Sequence, residues 1–197
     1  MRLILFYIPE MKYLIVCLGN IGAEYANTRH NAGFLVADKL ASHAGVSFTT
    51  QRYAQTTIVK HRGKSLVIIK PTTFMNLSGN SVQYWMQKEN IDTEHLLVVV
   101  DDIALPTGQL RMKMKGGDAG HNGLEHIIHI LKTNEFSRLR FGIGNDFPRG
   151  RQVDFVLGEW SKQELEIIQP RIEVAADMVK SFASVGIQLT MTAFNNK

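Results

Sequence analysis

Cysteine, proline and tryptophan are scarce, at one, five and two in 197 residues. The lone Cys17 cannot close an intrachain disulfide or build a thiolate zinc centre. That excludes a disulfide-stapled fold and points to a reducing compartment, with the cytoplasm expected, or to indifference about redox. No apolar run reaches the ~18 residues that a membrane-spanning helix needs. Residues 1–8 imitate the start of a signal peptide, but Glu10 and Lys12 interrupt the apolar stretch. Met11 is an alternative start, which would make residues 1–10 an N-terminal extension. Neither sign of charge dominates: 22 Lys and Arg against 18 Asp and Glu leave +4, a mild bias toward polyanionic partners. With 45% hydrophobic and 20% charged residues the chain is neither disordered nor fibrous. Repeats, linkers and low-complexity tracts are missing too, so residues 1–197 are expected to form one domain.

What is present is an alternation of apolar runs and helical patterns, the mark of an α/β fold. Residues 13–18 and 96–100 read as buried strands, and 56–60 with 65–70 as a hairpin about Arg62-Gly63. Residues 139–143 read as a further strand. In 110–115 the alternation places Arg111, Lys113 and Lys115 on one face. Helical spacing covers 31–43, 76–89 and 121–131. Ser161 and Glu164 form a capping box that opens a long C-terminal helix, which Pro170 is expected to kink or divide. The architecture expected is a twisted mixed β-sheet flanked by helices on both faces.

Ligand sites in open α/β sheets lie beyond the carboxyl ends of the strands. Five segments carry chemistry-bearing residues at such places: Gly19-Asn20-Ile21-Gly22, Thr28-Arg29-His30-Asn31, Thr73-Phe74-Met75-Asn76, Asp101-Asp102, and the glycine-rich 116–123, which ends in His121-Asn122-Gly123. Each has an ordinary reading. The first is a tight turn without the full G-x-G-x-x-G of a dinucleotide site. Asp101-Asp102 caps a turn, and Asn76 caps a helix. His43, His61, His95, His126 and His129 are read as structural or solvated. Jointly the segments offer more. His30 is a candidate general base, because an ordinary imidazole titrates near ~6.5. Asp101 can fix its tautomer and stabilise the imidazolium. Asn20, Asn76 and Asn122 supply neutral donors and acceptors suited to a carbonyl, an amide and an attacking water. His121 lies close to Asp118, but no HExxH or paired-cysteine spacing supports a metal, and no cofactor is expected.

The same segments carry a resemblance. The run from Leu14 through Gly19-Asn20-Ile21-Gly22 and Tyr25 to His30-Asn31-Ala32-Gly33 resembles the opening of the bacterial peptidyl-tRNA hydrolases. Lys70-Pro71-Thr72-Thr73-Phe74-Met75-Asn76, Asp101 with Leu105-Pro106 and Gly108, and His121-Asn122-Gly123-Leu124 resemble its later motifs, in the right order. Arg138 to Gly144 and Val153 to Gly158 extend the likeness. The resemblance implies an esterase that frees tRNA from a peptide at its 3′ ribose, monomeric and without a metal. It makes His30 the base, Asp101 its partner and Asn20 the reader of the blocked α-nitrogen. Tyr25, Phe74, Met75, Asn76, His121 and Asn122 become cleft residues for the tRNA end or the peptide, and Lys113 and Arg140 phosphate contacts. Arg111, Lys113 and Lys115, with Arg138 and Arg140 on the next strand, suggest two basic stripes along which phosphates run.

The chain departs from the family pattern at Cys17 and Ile21, where glycine and proline are usual. It departs also at Ala104, where many members have a second acid, at Asp118, and at Asn145-Asp146. Two other functions compete. One is a non-catalytic RNA-binding protein of the same fold, and the other an esterase or amidase acting on a non-tRNA substrate.

Overall fold

A computed structural model describes residues 10–195. The signal-like stretch, and all but the last residue of the extension proposed at 1–10, lie outside the described residues. Among the described residues seven strands form one mixed sheet: β1 (Lys12–Cys17), β2 (Thr49–Gln51), β3 (Ala54–His61), β4 (Lys64–Pro71), β5 (Leu96–Asp102), β6 (Leu110–Lys113) and β7 (Ser137–Gly142), in the order β2-β3-β4-β1-β5-β7-β6. The inner neighbours β4, β1, β5 and β7 run parallel, whereas β2, β3 and β6 join antiparallel toward the edges. The described residues also form five α-helices: α1 (Ala32–Ala44), α2 (Ser78–Glu89), α3 (Asn122–Leu131) and α5 (Lys162–Phe194), which pack on the sheet, and the short α4 (Gln152–Val156).

Strand alternation sorts the core into two layers. Tyr13, Ile15 and Cys17 of β1 pack with Val36 and Leu40 of α1 and Ile172 and Val179 of α5. Leu14, Val16 and Leu18 point the other way, onto Val82 and Trp85 of α2 and Leu124 and Ile127 of α3. Burial on both faces explains why β1 and β5 read as unbroken apolar runs.

Several details differ from the sequence-based expectation, among them the short helix α4, which no periodic pattern announced. Edge strand β2 is three exposed residues, too short and polar to leave a period-2 signal. Residues 75–77 form a 3-10 turn, so α2 starts at Ser78. The C-terminal helix keeps helical backbone angles through Pro170 and breaks instead at Gly186 (φ 83°, ψ 173°). Pro170 and Glu166, whose carbonyl loses its helical partner, are both exposed, so water can replace the missing bond.

Parallel β1, β4 and β5 end on the same side of the sheet, where their following residues gather. Gly33 brings α1 to that edge. A β-carbon on it would stand 2.3 Å from the Leu18 carbonyl oxygen and 2.9 Å from that of Val99, so only glycine lets the helix start directly on the strand backbones.

Candidate active site

His30 and Asn31 belong to a 3-10 turn, Arg29–Asn31, that leads into α1. Asp101 is at the carboxyl end of β5, 4% exposed. His30 Nδ1 lies 2.9 Å from each Asp101 oxygen. His121, at the N-cap of α3, places its Nε2 3.1 Å from Asp101 Oδ1. The network assigns the protons. His121 Nδ1 accepts from the backbone N–H groups of Gly123 and Leu124, so Nε2 must carry the proton given to Asp101. An ionised Asp101 has no proton to give, so His30 Nδ1 donates as well. The lone pair of His30 is thereby left on Nε2, away from the carboxylate.

Electrostatics follow from this packing. Burial disfavours charge on His30, but the Asp101 charge and hydrogen bond outweigh it and raise the His30 pKa above its ordinary value. Burial likewise opposes ionisation of Asp101. The two imidazoles prevail and hold the carboxyl well below the usual carboxylate range.

The pair opens on a cavity of about 340 Å³ lined by Ile103, Asp118, His121 and Asn122, and by Gln152, Val153 and Val156 of α4. A second cavity of about 480 Å³ is lined by Asn20, Ile21, Tyr25, Thr73, Phe74, Met75, Asn76 and Asn122. Asn122 borders both. The side-chain amides of Asn20, Asn76 and Asn122 make no hydrogen bond among the described residues, so each is free for a ligand. Asn76 sits in the 3-10 turn and caps nothing, and the N-cap position of α2 belongs to Leu77. The turn-capping role falls to Asp102, which accepts from the Ala104 N–H, and not to Asp101. Phe74 is 79% exposed at the rim, and Met75 is buried beneath it.

The structure thus brings together every predicted site residue except Lys113 and Arg140, which line neither cavity. Lys113 is exposed on β6. Arg140 gives its Nε to Asp102, beside the pair, and is only partly exposed. Cross-strand pairing sets Arg111 opposite Arg140 and Lys113 opposite Arg138 on a common face. Of the two expected basic stripes the second is incomplete. Arg138 is 2% exposed, and its guanidinium donates to the carbonyls of Gly117 and Asn134, where it props the glycine-rich loop. Lys115 lies past the end of β6 and pairs with Glu135.

One contributor carried no signal of its own in the sequence. Asn31 is buried and clamps the loop after β1, accepting from the Asn20 N–H at 2.8 Å and donating to the Asn20 carbonyl at 2.9 Å. It determines where the Asn20 side chain stands. Its place beside His30 was the only hint. His30, Asp101 and His121 are also the one set among the described residues whose ligand atoms lie close enough to hold a metal. Their nitrogens facing Asp101 are already engaged in hydrogen bonds, so an ion there would have to displace both protons.

An imidazole with one free nitrogen, oriented by a buried carboxylate among uncommitted amides at strand ends, is the equipment of a hydrolase. Similarity is specific about which kind. The model of the family described as peptidyl-tRNA hydrolase matches residues 14–197. The peptidyl-tRNA hydrolase of Bacteroides fragilis is 58% identical over 187 residues, spanning 95% of this chain and 100% of that protein. That of Cytophaga hutchinsonii is 51% identical over the same shares. The crystal structure of peptidyl-tRNA hydrolase from Acinetobacter baumannii superposes with a TM-score of 0.88 at 33% identity, covering 95% of this chain and 97% of that one. The chain belongs to the peptidyl-tRNA hydrolase family.

Proposed function

We propose that this chain hydrolyses the ester between a peptidyl or N-blocked aminoacyl group and the 3′ ribose of tRNA, with water as the nucleophile and His30 as its base. The observation that carries this mechanism is the 2.9 Å contact of His30 Nδ1 with both oxygens of buried Asp101, which leaves Nε2 free at the cavity. His30 Nε2 takes a proton from water, and the oxygen bonds to the ester carbonyl carbon. The carbon–oxygen bond to the ribose then breaks, and the imidazolium returns the proton to the leaving 3′-oxygen. Asp101 stabilises the imidazolium meanwhile. Asn76 and Asn122 offer donors for the developing oxyanion, a role worth ~10²–10³-fold per donor.

Asn20 meets the amide nitrogen of a blocked substrate. A free α-amine, with a pKa of ~7.7–8.0, is mostly charged at neutral pH and would lose hydration against these neutral amides. Exposed Phe74 and half-buried Tyr25 give aromatic faces for the terminal base or the peptide, with Met75 as the floor and His121 at the back of the cleft. Lys113 and Arg140, with Arg111 beside them, meet tRNA phosphates. The chain acts as one domain and as a monomer in the cytoplasm. Among the described residues no helix is long and apolar enough to cross a membrane.

The test is release of an N-acetylated amino acid from tRNA, compared with the unblocked ester and with His30→Ala. Cleavage of the blocked ester alone, lost in the variant, is the expected result. Binding without cleavage would favour the RNA-binding reading, and cleavage that survives in the variant would discard the His30 mechanism.

A further inference from the structure

Helix α4 walls the cavity in front of His30 with Gln152, Val153 and Val156, yet none of its residues is buried and Val153 is 66% exposed. Only Phe155 and Val156 pack partly against the core, and a five-residue helix anchored by two half-buried side chains needs further support to keep its position. What holds it comes from the residue next to the base. The Arg29 N–H donates to the Gly158 carbonyl at 3.1 Å, and Arg29 Nη1 donates to the Phe155 carbonyl at 3.3 Å. Its cation therefore sits at the helix C-terminus, where positive charge is favoured. The guanidinium lies over the Phe155 ring at 4.5 Å and the Trp160 ring at 5.6 Å. Nε and Nη2 reach Glu164 at 3.0 and 2.7 Å. Glu164 is also the reciprocal partner of Ser161 in the box that caps α5. The missing side chain at Gly158 admits the guanidinium, since a β-carbon there would stand 3.0 Å from Nη1.

We propose that Arg29 is a positioning residue for the reaction: with Glu164 it clamps α4 against the His30 turn and so determines how firmly the cleft holds its substrate. It does not touch the reacting atoms. The consecutive residues Arg29, His30 and Asn31 then divide the work, placing the cleft wall, the base and the Asn20 loop in turn. The inference rests on reading the His30 cavity as the substrate cleft. The planar fork is essential to the clamp, because one ammonium cannot meet a carboxylate twice, a carbonyl once and two rings.

Arg29→Lys keeps the charge, and Glu164→Gln keeps the shape. Both should raise KM roughly three- to tenfold, the scale of ordering one loop or a few side chains on binding, with kcat nearly unchanged. Backbone amides of residues 152–158 should exchange hydrogen faster in both variants, with those of β1 and β5 unaltered. A merely structural role would lower kcat with the fraction of folded enzyme, leaving KM and the local exchange alone, and that result overturns the proposal. A shift in the acid limb of the pH profile would overturn it too, since Arg29 would then be acting on His30 through its charge. His30→Ala is run alongside. Activity that persists there rejects His30 as the base, while the exchange of α4 still judges the clamp.

Discussion

Burial and the Asp101 carboxylate pull on the His30 proton in opposite directions, and the carboxylate prevails. A base must be unprotonated to work, so kcat/KM should rise with pH through a pKa above the ordinary ~6.5 of histidine. Asp101→Asn removes the winning effect and leaves burial alone. The acid limb should then move below that of the native protein while the rate falls ~10²-fold or more, which a kcat/KM profile against pH would check. Retention of the native limb would show that Asp101 does not control the base. Asp101 also has a thermodynamic signature. Its folded pKa is depressed, so its ionised form stabilises the native state above the unfolded value of ~3.9, and that contribution is lost as pH falls below it. Urea midpoints measured from pH 6 downward should fall more steeply for the native protein than for Asp101→Asn.

At the scale of elements, the position of the base depends on how closely α1 approaches the sheet. Gly33→Ala would place a carbon 2.3 Å from the Leu18 carbonyl oxygen, with rigid backbone as the neighbour. The helix must shift, at a cost of ~1–3 kcal/mol or more, so the urea midpoint should drop. Because the His30 turn leads straight into α1, kcat/KM should fall in the same variant. Unchanged activity would mean that the turn is held by Arg29 and Asn31 without help from the helix. Elements with strong periodicity were legible beforehand: β1, β5, the β3–β4 hairpin, and α5 with its capping box. Those decided by non-local geometry were not. Periodicity does not distinguish Pro170 from Gly186 as the place where α5 breaks: the carbonyl that Pro170 orphans is on an exposed residue, whereas Gly186 takes a positive-φ backbone that glycine adopts without strain.

For the whole molecule, charge matters by where it ends up. Arg138 was expected to share a phosphate stripe, but burial under the 116–120 loop makes it a structural prop. Lys113→Ala and Arg140→Ala should weaken tRNA binding about equally across tRNA sequences, each reducing the slope of log K against log salt by about 1. Arg138→Ala should instead lower the urea midpoint through its effect on the loop. If Lys113→Ala leaves the salt slope intact, the β6–β7 face is not the phosphate track.

The sequence alone determined the α/β class, the two-sided core and which residues to weigh as site candidates, because period-2 and helical patterns and motif order are local properties that survive in one dimension. Which of those residues meet was a tertiary decision. His30 and Asp101 are 71 positions apart and join only because parallel β1 and β5 end on one side of the sheet. His121 entered the same network once the α3 N-cap assigned its proton, and Asn31 gained a role only when Asn20 folded back upon it. Arg29 and Glu164 lie 135 positions apart, and their union needed the whole chain to close. Contacts of this kind arise from sheet order and helix placement, which no window of sequence contains.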